Sequence, residues 1–296
     1  MKITDYLRDS FSFSKMDTFS KCPRKFFYRY IVKRRENTAF QLFGRAVHKG
    51  MEIDNMAKLE GRRMPIASVL DAATESYKAE CDKEGQPKAI DHFVANHEPQ
   101  LRAFEEKGIR DQIIPVPKTV EAPFEIEVKI GDPATGKEEI PAKVSGFVDV
   151  VSSASPDGPR IVVDYKTGLK PVYQADAESS LQFQLYAIGA KAAGTQVVSF
   201  VKQGRQKPTA KITALAKTTP ERKERLLTWI ADCLRAIRRC LITGDFPKCS
   251  PNATWCSKKS CDFFDLCYGP GSAPATLIQI ESIKEAGTLE QPDWRK

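Results

Sequence analysis

The chain has 296 residues, of which 41% are hydrophobic, so it can bury the core of one large domain or two modest ones. It has no apolar run long enough to span a membrane, and its first residues, MKITDYLRDSFSFS, lack the apolar stretch of a secretory signal peptide, so we expect a cytoplasmic protein. The formal net charge of +8 suits an anionic partner such as nucleic acid, although many proteins that bind none carry a similar charge.

The first predicted helices cover residues 14–32 and are separated at Cys22-Pro23, because proline fits a first helical turn and not a helix interior. The second is basic and aromatic. Either its cations contact phosphates while its rings stack on bases, or its rings form the core face of a helix whose cations are solvated. The residues concerned are Arg24, Lys25, Phe26, Phe27, Tyr28, Arg29, Tyr30, Lys33, Arg34 and Arg35.

Helical periodicity continues over residues 40–59, where His48 and Glu52 lie one turn apart. Polar, Ala-rich helical segments follow, and we interpret residues from about 60 to about 110 as a helical insertion. Breaks are predicted near Pro65, at residues 85–87 and near Pro99. On its own, His48 could be an ordinary core or surface histidine.

The hydrophobic period then changes to two, which predicts an antiparallel meander. Its strands are predicted at residues 119–130, 142–151 and 160–166. Asp149 and Asp164 are acids on two neighbouring apolar strands, and Lys166 shares a strand face with Asp164. An ion pair near a strand end, with Asp149 pairing locally, is the alternative to a functional site.

The remaining pattern returns to helices and strands. A helix is predicted over residues 176–193, a strand over 195–204, an edge strand over 212–218, and a long helix from the cap at Thr218 to Gly244. A loop that carries cysteines follows this helix.

Eight cysteines are distributed unevenly, with six between Cys233 and Cys267. Cys233 and Cys240 fall in an amphipathic helical pattern, which predicts buried, unreactive thiols. Cys256, Cys261 and Cys267 follow the pattern C-x4-C-x5-C. This spacing is typical of metal or cluster ligands more than of a core.

Two buried carboxylates on adjacent strands repel each other unless a cation lies between them. Asp149 and Asp164 therefore predict a divalent cation, and their oxygen ligands suit Mg²⁺ or Mn²⁺. His48 would add a nitrogen ligand, which tilts the preference towards Mn²⁺. With a phosphodiester bound there, Lys166 could position a water or stabilise developing charge.

The ordered motifs GRAVH, GFVD, VVDYKTG and QFQLYA resemble the PD-(D/E)XK nuclease superfamily, specifically its RecB-type and CRISPR-adaptation branch. The resemblance implies an α/β fold with a restriction-endonuclease-like core, in which helices flank a mixed central sheet. It also implies that His48, Asp149 and Asp164 bind the catalytic metal and that Lys166 assists hydrolysis.

Gln182 and Tyr186 match the Q-h-x-x-Y motif of the same family, with Phe183 as its hydrophobic residue. Positions four apart on a helix share a face, so both side chains can reach one DNA strand or one edge of the active site. Ordinary helix packing of Tyr186 is the alternative.

Iron–sulfur members of this branch hold a [4Fe–4S] cluster with one cysteine near the N-terminus and three after the long C-terminal helix. The resemblance thus implies Cys22, Cys256, Cys261 and Cys267 as the four thiolate ligands. The four-residue gap between Cys256 and Cys261 departs from the usual two, which makes Cys249 a candidate substitute. A zinc site formed by the same thiols is the rival.

The function implied by the resemblance is a metal-dependent deoxyribonuclease, an exonuclease acting on single-stranded DNA or DNA ends. The rivals are a CRISPR-adaptation nuclease that trims prespacers with partner proteins, and a noncatalytic DNA-binding or scaffold protein of the same fold. Adaptation, helicase or recombination proteins are the expected partners, and a helicase motor would belong to another chain because no phosphate-binding loop motif occurs here.

The domain organisation expected from these patterns is a single nuclease domain over residues 1–272, followed by a tail over 273–296. An iron–sulfur region formed by Cys22 and residues 249–267 belongs to that domain.

Overall fold

The computed structural model describes residues 10–33, 39–131, 139–202, 204 and 207–269. They belong to two compact units. We call them the terminal unit, within Met1–Glu36, Ile126–Ser145 and Leu227–Lys296, and the sheet unit, within Asn37–Glu125 and Gly146–Leu226. In the described ranges, no helix is both long and apolar enough to cross a membrane. The predicted tail at 273–296 lies outside these ranges.

A helical N-terminal part is followed by three strands, two helices, three further strands and two final helices, which is largely the order that the sequence indicates. The helices are α1 (Phe13–Lys21), α2 (Pro23–Phe26), α3 (Ala39–Leu59), α4 (Ile66–Glu84), α5 (Ile90–Glu106), α6 (Ile109–Gln112), α7 (Gln174–Ser179), α8 (Leu181–Gly189), α9 (Pro220–Thr243) and α10 (Phe264–Tyr268), with a π-helical turn at Phe27–Ile31. The strands are β1 (Pro115–Gly131), β2 (Glu139–Ser152), β3 (Ile161–Gly168), β4 (Gly194–Val201), β5 (Thr209–Ile212) and β6 (Ala216–Lys217).

The strands form one mixed sheet in the order β1-β2-β3-β4-β5, with β6 also paired to β4. β2 and β3 are antiparallel, with Val150 opposite Val163, whereas β3 and β4 are parallel, with Asp164 opposite Val197. A parallel pair needs a crossover connection, and α7 and α8 lie in that connection. The predicted mixed α/β fold with flanking helices is therefore confirmed.

The core of the sheet unit lies where α3, α4 and α5 meet β3 and β4. Val163 and Phe200 from the strands are buried together with Leu42, Ala73 and Leu101 from the helices. Each fully buried large aliphatic or aromatic side chain contributes about 1.5–3 kcal/mol relative to exposure. This packing fixes α3, and therefore His48, against β3.

One predicted helix break is wrong, because α5 continues through Pro99. Proline removes one backbone donor, but Phe93 before it and Leu101 after it are both fully buried in the same core. The breaks at Pro65 and after α4 are observed, and α4 ends at Gly85, whose φ of +61° suits a residue without a side chain.

The helix predicted at 176–193 is instead two helices, α7 and α8, because Ser180 between them adopts an extended conformation and caps α8 through its hydroxyl. The edge strand predicted at 212–218 was also misplaced. The chain forms β5 before this range and only the short β6 within it. Between them, the Thr213 hydroxyl accepts the Val197 N–H, which a backbone carbonyl would accept if the strand continued.

The terminal unit contains α1, α2 and the π-helical turn, with a cluster of aromatic rings. Phe26 packs edge-on against Phe19 at 5.4 Å between ring centroids, and Phe27 lies 5.1 Å from Phe246. The Arg24 guanidinium is buried and donates to the Phe246 carbonyl at 2.6 Å. Each aromatic pair of this cluster is worth about 0.5–1.5 kcal/mol beyond the free energy from the area that it buries.

Candidate metal centre and active site

His48 reaches the sheet from α3, where its helical neighbours Val47 and Met51 are buried. Its Nδ1 lies 3.2 Å from Asp149 Oδ1 on β2. Burial opposes protonation of His48, but the charge of Asp149 and its hydrogen bond outweigh burial and raise the pKa of His48 to about 8. Without a metal, His48 is therefore a cation held by Asp149.

Asp149 is fixed by two contacts. Besides His48, its Oδ2 accepts the Tyr165 N–H at 2.7 Å from β3. Burial raises the pKa of Asp149, but His48, Lys166 and this N–H favour the carboxylate, and the net result is a lowered pKa. Asp149 is thus ionised and held between the two strands at neutral pH.

Glu121 on β1 completes a group that the sequence did not predict. One ligand atom each from His48, Glu121 and Asp149 lies within 4.8 Å of the others, an arrangement that can hold a metal ion. Burial, then the nearby charge of Asp149, raises the pKa of Glu121 to about 7. Burial thus disfavours the ionised form of Glu121, and a divalent cation beside it would stabilise that form.

The backbone explains why Glu121 was missed. Burial alternates from Phe124 to Ile130, and this alternation places Glu125 and Glu127 on the exposed face. By the same alternation Glu121 would also lie on the exposed face. Its φ is +48°, however, and that of Lys118 is +64°, so the regular alternation does not extend to Glu121. Positive φ at two residues other than glycine is uncommon and costs free energy, which is typical of functional sites.

Asp164 and Lys166 lie on β3, as the motif predicts. Asp164 is 1% exposed, and the Lys166 Nζ lies 2.6 Å from its Oδ2. The contact lacks hydrogen-bonding geometry, and among the described residues that oxygen has no hydrogen-bond donor. Burial raises the pKa of Asp164 to about 6 even though Lys166 opposes the shift.

Lys166 is itself a stabilised cation. Burial lowers its pKa, but Asp164 and Asp149 outweigh burial, and the pKa rises. Its Nζ also lies 5.5 Å from the centroid of the Phe183 ring on α8. The lysine therefore remains charged and directed along the strand face that carries Asp164.

Gln182 and Tyr186 lie one turn apart on α8 and contact each other, with Gln182 Nε2 donating to the Tyr186 hydroxyl at 2.7 Å. Burial, then the charge of Asp164, raises the pKa of Tyr186. The Phe124 ring packs against Tyr186 at 5.8 Å between centroids. A Cβ at Gly189 would lie 2.2 Å from this ring, so α8 approaches Phe124 through a residue without a side chain.

The structure thus brings His48 and Asp149 together, adds Glu121, and sets Asp164 with Lys166 on the neighbouring strand. Glu52, one turn beyond His48, pairs with Lys49 at 2.8 Å. The carboxylates of Glu121 and Asp149 suit Mg²⁺ or Mn²⁺, and the imidazole of His48 favours Mn²⁺. The donor set fits a hydrolytic metal.

A second cluster lies in the terminal unit, where one pocket is lined by five cysteines. They are Cys22, Cys249, Cys256, Cys261 and Cys267. Burial, then hydrogen bonds with Cys22 and Cys256, raises the pKa of Cys249 to about 12. Cys22 caps α2, and its sulfur accepts the Lys25 N–H at 3.4 Å.

The three remaining cysteines do not line this pocket. Cys81, Cys233 and Cys240 are buried, as predicted for the two on α9, and burial raises the pKa of Cys233 to about 12 and that of Cys240 to about 11. The thiols of Cys233 and Cys240 therefore stay protonated at neutral pH.

The basic, aromatic segment after Cys22 behaves as a core segment. Phe26, Phe27 and Tyr28 are at most 9% exposed, so their rings are not available for base stacking, and Arg24 is buried as well. Arg34 and Arg35 lie outside the described residues.

Comparison with known proteins identifies the family of this chain. Residues 10–268 match the family model of the PD-(D/E)XK nuclease superfamily. A comparison with curated protein sequences found no match.

Among solved structures, a protein from Eubacterium rectale named "Putative exonuclease" is similar at 13% identity and a TM-score of 0.51, with 90% of this chain and 96% of that chain covered. SSO0001 is similar at 14% identity and a TM-score of 0.39, with 88% and 89% covered. At 13% identity, the Eubacterium rectale structure supports the fold of this chain and nothing further. The family match spans nearly the whole chain, and the protein belongs to the PD-(D/E)XK nuclease superfamily.

Proposed function

We propose that this protein is a Mg²⁺- or Mn²⁺-dependent deoxyribonuclease, an exonuclease that acts on single-stranded DNA or DNA ends. The observation that carries the proposal is the convergence of His48, Glu121 and Asp149 beside the Asp164–Lys166 pair, within a nuclease-superfamily fold. A noncatalytic scaffold would gain nothing from buried like charges that destabilise the folded chain.

Each residue has a role that follows from its surroundings. His48, Asp149 and Asp164 are the proposed metal ligands, and Glu121 joins them on geometric grounds. A bound cation would polarise the scissile phosphate and lower the pKa of a water. As a ligand, His48 would be neutral and would give up the proton that it shares with Asp149, because only a neutral imidazole can bind a metal.

Lys166 keeps its charge and can stabilise the negative charge that develops on the phosphate or position the attacking water. Gln182 and Tyr186 are proposed to hold the substrate at the edge of the site, because their paired polar ends lie beside Asp164 and Lys166.

The test is incubation of the purified protein with DNA labelled at its 5′ or 3′ end, single-stranded and double-stranded, in Mg²⁺, Mn²⁺ or EDTA. We expect mononucleotides or short products from single strands or ends with either metal and none in EDTA. Cleavage that is equal in EDTA, or binding without cleavage under every metal condition, would refute the proposal.

We further propose that the five-cysteine pocket holds a structural [4Fe–4S] cluster, with Cys22, Cys256, Cys261 and Cys267 as ligands. Tetrahedral zinc with Zn–S bonds of about 2.3 Å needs sulfur atoms about 3.8 Å apart. In the described residues, no three cysteine sulfurs lie within 4.8 Å of one another, a spacing that favours a larger group. Four thiolates are the ligand set that such a cluster requires.

A further inference from the structure

Lys202 follows β4 directly and is a buried cation packed against two aromatic rings. It is 8% exposed, and its Nζ lies 3.5 Å from the centroid of the Phe43 ring and 4.1 Å from that of Phe40. No carboxylate in the described ranges pairs with it, and burial lowers the pKa of Lys202 to about 8. The two rings stabilise an ammonium through their negative faces, but they supply no charge to neutralise it.

The position of this cation relates it to the candidate active site. The Lys202 N–H donates to the Gly168 carbonyl at 2.7 Å, at the end of the strand that carries Lys166. Both rings belong to α3, the helix that carries His48, and the side of α3 at Gly44 approaches Thr167 so closely that a Cβ would lie 3.3 Å from its hydroxyl.

The spacing along α3 gives a length scale. Phe43 precedes His48 by five residues, which corresponds to about 7.5 Å along the helix axis. Side chains five residues apart also differ by more than a third of a turn around the helix, so this rise places Lys202 near the candidate site but sets no nucleotide count. The ring of Phe40 is 50% exposed, so one of the two rings that hold the ammonium faces solvent.

We infer that Lys202, held between Phe40 and Phe43, binds a backbone phosphate of the substrate strand near the phosphate that is cut. This inference rests on the proposed function and adds a positioning residue to it. A phosphodiester is the chemistry that fits, because it supplies the missing negative charge without requiring a base-specific contact. A lysine acts here as a point charge that follows the strand.

The experiment measures affinity for a fluorescent single-stranded oligonucleotide by anisotropy, in a noncleaving Asp164→Asn background with Mg²⁺. Lys202→Met preserves most of the side-chain volume and removes the charge. We expect about a tenfold increase in Kd, since a charged hydrogen bond is lost. We also expect the slope of log Kd against log salt concentration to fall by about 0.7, the value for one phosphate contact on a single strand.

Two matched variants and a modified substrate make the test specific. Lys202→Arg keeps the charge and should retain the salt slope, and Lys211→Met removes an exposed charge from neighbouring β5 and should change Kd less than twofold. One neutral methylphosphonate linkage is placed at each position of the oligonucleotide in turn. With the protein that retains Lys202, the affinity should fall about tenfold at one of these positions only. The Lys202→Met protein should be insensitive at that position alone.

An unchanged Kd and salt slope in Lys202→Met, or an equal loss of affinity with every methylphosphonate oligonucleotide, would overturn the inference and leave Lys202 as a packing residue. The proposed function is judged separately, because wild-type protein either cleaves labelled DNA with Mg²⁺ or Mn²⁺ or does not, whatever Lys202 contributes.

Discussion

Lys166 Nζ and Asp164 Oδ2 lie 2.6 Å apart on one strand, although the oxygen accepts no hydrogen bond from any described residue. The opposite charges of the two side chains therefore balance, but no described residue donates a hydrogen bond to this oxygen of Asp164. In its proposed role as a metal ligand, this oxygen would exchange part of its contact with Lys166 for the cation.

Asp164→Asn should reduce cleavage by about a thousandfold or more, because a neutral amide is a poor ligand for a hard cation and leaves Lys166 without its counter-charge. DNA affinity should change less than about threefold, since binding rests on dispersed phosphate contacts. Single-turnover cleavage and anisotropy measure the two effects. Asp232→Asn, at an exposed ion pair with Arg235 on α9, is the matched control and should cleave like wild type.

Glu121→Gln should raise the concentration of Mg²⁺ or Mn²⁺ needed for half-maximal cleavage by about tenfold, because one charged ligand is lost while the others remain. A metal titration of the cleavage rate gives this value. Glu127→Gln changes an exposed acid on the same strand and should leave the titration unaltered. Coincident curves for Glu121→Gln and wild type would remove Glu121 from the site.

Anaerobically purified protein should be brown and contain about four irons per chain, because a Cys₄ cluster has that composition. Cys22→Ser should lose the iron and become less stable, whereas Cys81→Ala, outside the five-cysteine pocket, should keep it. Iron analysis and visible absorbance are the measurements.

The fifth thiol makes the ligand assignment testable. Cys249→Ser should retain full iron, and Cys256→Ser should lose it. The opposite result would exchange these two ligands, and colourless protein with one zinc per chain after attempted reconstitution would reject the cluster.

His97 should make the protein acid-sensitive. It is fully buried, and burial outweighs its contact with Gln100 and lowers its pKa from 6.5 to about 4. Between these two pKa values the unfolded chain binds the proton that the folded chain rejects, so stability falls as pH drops from about 6.5 to about 4. The loss reaches about 3 kcal/mol.

Urea unfolding of His97→Gln and wild type at pH 7.5 and pH 4.5 should give a stability difference that shrinks at low pH, because the variant lacks this titration. His92→Gln, at an exposed position on the same helix, should follow wild type at both values. A pH-independent difference for His97→Gln would show that His97 does not titrate in this way.

Gly189→Ala should destabilise the protein by about 1–3 kcal/mol, since the new methyl group would overlap the Phe124 ring. Cleavage should also slow, because Phe124 supports Tyr186. Adding Phe124→Leu should restore part of the stability by removing the overlap. Additive losses in the double variant, measured by thermal unfolding, would contradict this account.

Local pattern accounts for what the sequence could predict. The period of two identified β2 and β3, and the order of the motifs pointed to His48, Asp149, Asp164 and Lys166, because their chemistry depends on residue type and on the strand or helix that carries each one. The structure places His48 beside Asp149, and Lys166 beside Asp164 on the neighbouring strand. Their catalytic roles remain predictions.

What the sequence could not predict depends on contacts between distant segments. Glu121 reaches the site where the backbone of β1 is left-handed, at Lys118 and at Glu121 itself. The hydrophobic pattern of the sequence does not predict such a change in the backbone. The continuation of α5 through Pro99 depends on core packing on both sides of the proline. Cys249 was a candidate substitute in the sequence, but only the folded chain sets its thiol beside Cys22 and Cys256.

The five-cysteine pocket joins Cys22 to residues that the ribosome adds only after the whole sheet unit has been made. The Cys22 thiol therefore meets its partner thiols late in synthesis, and the proposed cluster could form only after that point. A chain truncated before Cys249 would keep the sequence of the sheet unit and lack four of the five cysteines of the pocket.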